Sequence, residues 1–499
     1  MRLTTTLIRG AALYGTAMLA GCTVGPDFKR PATPTTSSYL APGEAGAAAQ
    51  AGAPIATPGA VPQRWWTVYG SPELDALVDR AIANNQSLAA SNATLARSRD
   101  ALAAVRGTRL PQVDANTRVE REEANLATFG FQPGLLPGLS SNPQFNLYSV
   151  GAGVSYDLDL FGGRRRRIEQ SGAEAEAQLR QTEAAHLALA GQVVTQAMTI
   201  AAIRSRISTV QGLIAEDQRN VDLTDRRRRG GEGTMVQVLS AKSQLVADQA
   251  DLPALNQSLS QAQHMLAILV GSAPADFTAP DFDLDKLKLP ATIPVSLPSE
   301  LLRRRPDILQ AEADLHSATA AIGVATARLY PDITLGATLT QGAPAVENIL
   351  KDTFRGYDIF AGLTVPIFHG GTLRAERQAA VDQARAANAT YQDTVLRAFG
   401  QVADLLDALA HDQQAVDAQR QALSATGSSL ALSRRSFEVG NSGVLDIVDA
   451  ERIHQRALSG LVEARAQQLL NSARLFVATA GGWTEMPARP VPPGSSPSD

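Results

Sequence analysis

The sequence predicts a mixed α and β membrane protein in which each chain gives four β-strands to a barrel shared between copies and carries long α-helices in an internal two-fold repeat. Three observations lead there. The order helix, strand, strand, long helix occurs twice along 499 residues. Candidate strands of about 10 residues alternate apolar with small or polar side chains, the pattern of a wall between lipid and water, which a soluble antiparallel sheet would also show. The two longest helical runs, about 66 residues each and free of proline, would extend roughly 100 Å.

Taken in order, residues 1–21 read as a lipoprotein signal peptide. Arg2 and Arg9 supply positive charge, Ala11 to Leu19 is a short apolar run, and Leu19-Ala20-Gly21-Cys22 follows. Small residues before a Cys resemble a lipobox, which makes Cys22 the expected site of acylation and its lipid the one covalent addition expected. An ordinary signal peptide that happens to contain a Cys would look the same. Cys22 is the sole cysteine, however, so no disulfide accounts for it. Thr23 follows where an Asp would signal retention at the inner membrane, and outer-membrane sorting is expected. Residues 22–62, rich in Pro, Ala, Gly, Ser and Thr, read as an extended tether, and residues 487–499 as a similar flexible tail. No segment of the mature chain has about 18 consecutive apolar residues, so any spanning falls to strands.

The repeat occupies residues 63–273 and 299–486, joined by a linker at 274–298. In the first copy Gln86-Ser87-Leu88 leads a helix over about 86–109 that ends in Leu110-Pro111. In the second Pro306-Asp307-Ile308 leads one over about 306–328 that ends in Tyr330-Pro331, and both landmarks are 220 positions apart. Strands follow at about 112–122 and 148–160, then at about 332–341 and 357–368. Four strands cannot close a membrane barrel, whose minimum is about 8, and open edges are intolerable in lipid. Several copies must therefore share one.

Each second strand ends near a Gly-Gly pair, Gly162-Gly163 or Gly370-Gly371, which opens a long helix over about 164–229 or 372–439. In the latter Val395, Phe399, Val402, Leu406, Leu409, Val416, Leu423, Leu430 and Phe437 step by four and three, completed by Gln413, Arg420, Gly427 and Arg434. The polar seventh positions suit a helix lining water on one side. A coiled coil with register-setting polar residues would show the same pattern. Two turns, Gly230-Gly231-Glu232-Gly233 and Gly440-Asn441-Ser442-Gly443, end these helices, and return helices follow over about 235–270 and 444–480.

Composition narrows the function. A hydrophobic share of 44% with 19% charge marks an ordered chain, and a net charge of −4 excludes the overall basic surface that nucleic acid requires. The six histidines form no paired metal spacing, and there is no phosphate loop or nucleophile elbow, so no enzyme is expected. Asp281, Asp283 and Asp285 alternate like the start of a calcium loop but lack its Gly and Glu, and read as a solvated loop. No metal site is expected.

The stretches Cys22-Thr23-Val24-Gly25-Pro26-Asp27-Phe28-Lys29-Arg30-Pro31, Trp65-Trp66, Arg304-Arg305-Pro306-Asp307-Ile308, Leu329-Tyr330-Pro331, Pro366-Ile367-Phe368 and Gly481-Gly482-Trp483 resemble the TolC-like outer-membrane efflux factors, lipoprotein branch, of the OprM and NodT type. The resemblance implies a homotrimer with a 12-stranded outer-membrane barrel, a long periplasmic helical barrel and a small equatorial domain. It also implies two partners, a periplasmic adaptor (membrane fusion protein) and an inner-membrane pump of the RND class. Function would be that of a passive exit duct from periplasm to outside. The competing classes are a coiled-coil envelope lipoprotein without a pore and an envelope hydrolase, the latter weakened by the absence of a catalytic constellation.

Candidate site residues follow from the same match. Leu445-Asp446-Ile447-Val448-Asp449 resembles the stretch that constricts the periplasmic aperture in the family. Asp446 and Asp449, three apart, share a helix face, and three chains would ring six carboxylates around one axis, with Leu445 as an apolar collar. Such acids could instead only complement a helix dipole. Ser442 stands where some relatives carry a gating Arg, and the first repeat has Gln237 and Ser240 in place of the two Asp. Gly230, Gly231, Gly233, Gly440, Asn441, Ser442 and Gly443 are the expected adaptor-contacting tips. The runs Arg226 to Arg229 and Arg164 to Arg167 could meet an acidic adaptor tip and lipid phosphates respectively, or simply be solvated.

Overall fold

A computed structural model describes residues 23–32, 36, 38–40, 55–59, 61–123 and 144–480; the signal peptide, Cys22, Gly481-Gly482-Trp483 and the 487–499 tail lie outside the described residues. The elements are β1 (Ile55–Pro58), a 3-10 turn (Trp65–Tyr69), α1 (Pro72–Asn84), α2 (Gln86–Gly107), β2 (Gln112–Glu123), β3 (Gln144–Asp157), α3 (Gly163–Arg229), α4 (Met235–Leu269), β4 (Thr292–Val295), α5 (Pro298–Arg304), α6 (Pro306–Ala327), β5 (Asp332–Ala343), β6 (Arg355–Thr364), α7 (Thr372–Glu438) and α8 (Val444–Thr479). The doubled order expected from the repeat is present. The chain divides into two compact units, one of residues 1–30, 96–176 and 312–389, the other of 31–95, 177–311 and 390–499.

The first unit holds an antiparallel sheet in the order β2-β3-β5-β6. Its register sorts the side chains. Val113 pairs with Val154, Ala115 with Ala152 and Val119 with Tyr148; Val154 pairs with Ala337 and Tyr156 with Leu335; Ala337 pairs with Ile359, Leu339 with Tyr357 and Ile333 with Leu363. Because side chains alternate along a strand, these residues share one continuous apolar face. Asp114, Asn116, Arg118, Thr338 and Asp358 fall on the other. Tyr357 is 80% exposed and Ile359 77%, a face that only lipid suits. Gly336 lies under the Phe360 ring, where a Cβ would stand 2.3 Å from the ring edge. Among the described residues, no strand pairs with the outer edge of β2 or of β6.

A strap of N-terminal residues closes onto this unit, which differs from the free tether expected over its first residues. Arg166 is 3% exposed and donates to Val24 O, Gly25 O, Asp27 Oδ1 and Glu169 Oε2 at 3.2, 3.3, 2.6 and 2.8 Å. The Val24 amide donates to Phe161 O at 3.1 Å, Phe28 stacks on His316 at 4.4 Å, and Arg30 pairs with Glu312 at 2.7 Å. Gly25 has φ +90, and a Cβ on it would meet Gly323 Cα at 2.4 Å, so the strap approaches α6 backbone to backbone. Arg164 is occupied too, by Asp157 and Thr108 O. Two of the four arginines thus hold protein rather than standing in solvent.

The second unit is helical. Ser71 caps α1, accepting from the Leu74 amide at 3.3 Å with Pro72 at the first helical position, and Leu74, Leu77, Val78 and Ala81 are its buried face. The core centres on Trp65, which stacks on Phe476 at 5.4 Å, and on Tyr69, whose hydroxyl meets Ser472 Oγ at 2.9 Å. A parallel pair, β1 with β4, lies in the same unit and was not expected from the sequence. One stretch of α3 is apolar enough by composition to cross a membrane, but most of it is buried in this core.

The polar positions of the α7 seam have partners within the chain. Gln413 accepts from Gln468 at 2.7 Å, Arg434 bonds Glu216 at 3.0 Å and Glu451 at 2.9 Å, and Gly427 lies against His454. These three meet neighbouring helices, and only Arg420 is exposed. They bond neighbouring helices as register-setting polar residues do, while the Arg434 side chain keeps 42% of its surface exposed.

Candidate functional site: the helical tips

Both hairpin tips are built alike. The amide of Glu232 bonds Arg227 O and that of Gly231 bonds Arg228 O; likewise Asn441 bonds Ser436 O and Gly440 bonds Phe437 O. These six-to-one and five-to-two pairs define a Schellman cap. Gly231 (φ +81) and Gly440 (φ +80) supply the left-handed residue that the cap needs. Gly230, Asn441 and Gly443 are exposed, Gly233 and Ser442 half-buried.

The return helices begin differently. Thr234 and Gln237 form a reciprocal capping box, at 2.9 Å from the Thr234 amide to Gln237 Oε1 and 3.4 Å from the Gln237 amide to Thr234 Oγ1. In the second hairpin Gly443 has no side chain to offer, and only half the box exists: its amide donates to Asp446 Oδ2 at 2.8 Å. Asp446 therefore occupies the position of Gln237, and Asp449 that of Ser240. Asp449 accepts from Arg452 at 3.0 Å, both exposed.

Leu445 (57% exposed), Asp446 and Asp449 all face outward, while Ile447 and Ala450 turn inward onto Leu430, Phe437 and Leu223. The predicted trio is thus brought to one solvent face, though Asp446 also performs the helix-start task. The two tips are coupled by a contact that sequence reading missed, in which the Arg227 guanidinium lies 3.7 Å from the centroid of the Phe437 ring. Arg228 and Arg229 both bond Asp225 and hold its carboxyl below the usual range. The Arg226 to Arg229 run is therefore partly spent on its own hairpins. Asp281 and Asp285 pair with Arg204 and Arg465.

A model of the family described as "Outer membrane efflux protein" matches residues 77–272 and 297–481. The pyoverdine export outer membrane protein OpmQ of Pseudomonas aeruginosa is 30% identical over 423 residues, 84% of this chain and 88% of that protein. Outer membrane protein OprJ of the same organism is 28% identical over 480 residues, 95% of this chain and 96% of that one. Among solved structures, the outer-membrane channel OprN superposes with a TM-score of 0.83 at 26% identity, covering 93% of this chain and 100% of that one. The open state of the Neisseria gonorrhoeae MtrE outer membrane channel gives 0.79 at 26%, covering 92% and 98%.

Proposed function

The chain belongs to the outer membrane efflux protein family, and from that premise we propose that it is the outer-membrane channel lipoprotein of a tripartite efflux system, a passive exit duct served by a periplasmic adaptor and an RND-class pump. The observation that carries the reading is the four-stranded sheet with one apolar face and two open edges. An unpaired edge in lipid costs several kcal/mol per polar group. Placing β6 of each copy beside β2 of the next satisfies both edges, and three copies give the 12 strands of a closed barrel. A tether without a pore has no use for a sheet that is polar on the face opposite lipid.

Cargo selection belongs upstream. Relatives named for pyoverdine export, toluene efflux and cation efflux share this architecture, which supports a permissive duct with substrate choice in the pump. The tips at Gly230, Gly231, Gly233, Gly440, Asn441, Ser442 and Gly443 are the surface for the adaptor. In the trimer Leu445, Asp446 and Asp449 ring the periplasmic aperture, where six carboxylates favour cations and disfavour anions. Cys22 carries the lipid, supported by its lipobox.

Native mass spectrometry in detergent together with ion flux through proteoliposomes tests the proposal. Trimers that conduct are expected. A monomer that passes no ions returns the chain to the class of coiled-coil tethers.

A further inference from the structure

The α3–α4 hairpin carries a buried acid that neither the barrel nor the aperture uses. Asp217 on α3 is 3% exposed, and no donor from the protein reaches its Oδ2. Three donors on this and the surrounding helices are committed to other acids. Arg434 on α7 bonds Glu216 and Glu451, Asn220 bonds Glu451 on α8, and Gln244 bonds Asp248 on α4 at 2.9 Å. The acids acting on Asp217 are Asp248 of α4, Glu451 of α8 and Glu216 of its own helix; Arg434 is shared between the last two, and Arg206 of α3 lines the groove beside Asp248. After burial, Asp248 is the strongest influence on the Asp217 carboxyl, yet two ionised carboxylates can form no hydrogen bond to each other unless one is protonated.

We propose that Asp217 stays protonated and donates to Asp248, and that this bond latches the outer part of α4 to α3, so that loss of the proton loosens the first hairpin toward its tip. Burial, then Asp248, then Glu451 and Glu216 push the Asp217 carboxyl up to about 8, which keeps the latch closed at neutral pH and opens it in mild alkali. Three further features suit a latch. Beyond the pair, α4 is held by few buried apolar residues, Val238, Ala241 and Leu245, while Met235, Val236 and Leu239 are exposed. Pro253 sits inside α4, where it removes the bond to the Gln249 carbonyl and gives the helix a place to bend. Asp248 is half-buried in a groove with Arg206, Val210 and Asp251, so the proton has a route to solvent. The tips are 209 positions apart, and the same offset puts Thr426 and Ala457 at this level of the second hairpin, neither of them ionisable. The latch is a property of the first hairpin alone.

The inference does not depend on the acidic aperture, since it concerns helix packing within one chain. The test is amide hydrogen exchange of the full-length protein in nanodiscs, from two pH units below to two above that value. After correction for intrinsic exchange, residues 238–251 of wild type should lose protection by up to about tenfold per pH unit below that value, the limit for a one-proton linkage, and level off above it, where both states are deprotonated. Asp217→Asn, whose amide donates to Asp248 at any pH, should hold the protection that wild type shows at low pH. Infrared difference spectra of wild type minus Asp217→Asn should carry a neutral-carboxyl carbonyl band that disappears in alkali. A wild-type profile flat after correction, or an Asp217→Asn profile that tracks wild type, overturns the latch. Should Asp217→Asn fail to assemble, Asp248→Asn provides the same comparison, and the wild-type profile decides by itself.

Discussion

Replacing Arg166 with Met tests whether the N-terminal strap is a folded element. Met keeps most of the side chain's bulk and removes its donors, leaving Val24 O, Gly25 O, Asp27 and Glu169 without the guanidinium. The loss is not four full hydrogen bonds. Asp27 is already exposed and regains water, and Glu169 keeps His316 at 2.9 Å. The two carbonyls can be rehydrated only by lifting the strap, which also forfeits the Phe28–His316 stack. Charged hydrogen bonds contribute about 1.5–3 kcal/mol each before such compensation, so about 2–3 kcal/mol of local stability should go. The Val24 amide, bonded to Phe161 O, reports the effect directly. At about 1.4 kcal/mol per factor of ten, its exchange should accelerate by about 30- to 150-fold, while amides of β3 and β5 stay unchanged. Acceleration below about threefold, or equal acceleration throughout the sheet, would refute the strap as a local unit held by Arg166.

Burial raises the Glu169 carboxyl, but hydrogen bonds from Arg166 and His316 outweigh it and leave its pKa below normal; a depressed acid stabilises above its unfolded value of about 4.3 and loses that contribution as pH falls through the folded one. Strap protection should therefore be level from neutral down to about pH 4 and fall below that, as the same Val24 amide would show. Asp446→Asn with Asp449→Asn keeps a cap acceptor for the Gly443 amide and gives up only an exposed ion pair, costing under about 1 kcal/mol per chain. In planar bilayers this double variant should lose cation preference and periplasmic-side block by multivalent cations; unchanged selectivity would return both residues to helix-start duty. Gly336→Val drives two methyl groups into the Phe360 ring and should cost about 1–3 kcal/mol, read as a fall in the temperature at which the purified oligomer dissociates, with Gly342→Ala, where a Cβ finds only ordinary contacts beyond 3.4 Å, as the tolerant control.

What the sequence disclosed depended on whether a feature is periodic or singular. The strands showed through because lipid and water impose alternation on every residue from Ile333 to Thr340, and the tips because a left-handed position admits little besides the Gly found at 231 and 440. The direction taken by the polar seam did not show. Gln413 and Arg434 sit at heptad positions, and only the presence of Gln468, Glu216 and Glu451 on neighbouring helices decides that they face protein. The same limit hid Arg166, one of four consecutive arginines, whose partners lie about 140 residues earlier. Composition made the strap look like a linker, although Gly25 is there to let two backbones touch. At the aperture, spacing put Asp446 and Asp449 on one face correctly. It could not show that Gly443, lacking a side chain, leaves Asp446 to cap the helix alone.

The two unpaired edges of the sheet bear on inheritance as well as on architecture. A subunit that cannot offer its β2 edge, or its β6 edge, is not merely idle, because the two neighbours that recruit it are left with an unfinished wall. When normal and edge-blocked copies are made together and mix at random, the yield of sound pores follows the cube of the normal fraction. A gene copy encoding such a variant would therefore suppress the product of the intact one far beyond its own share.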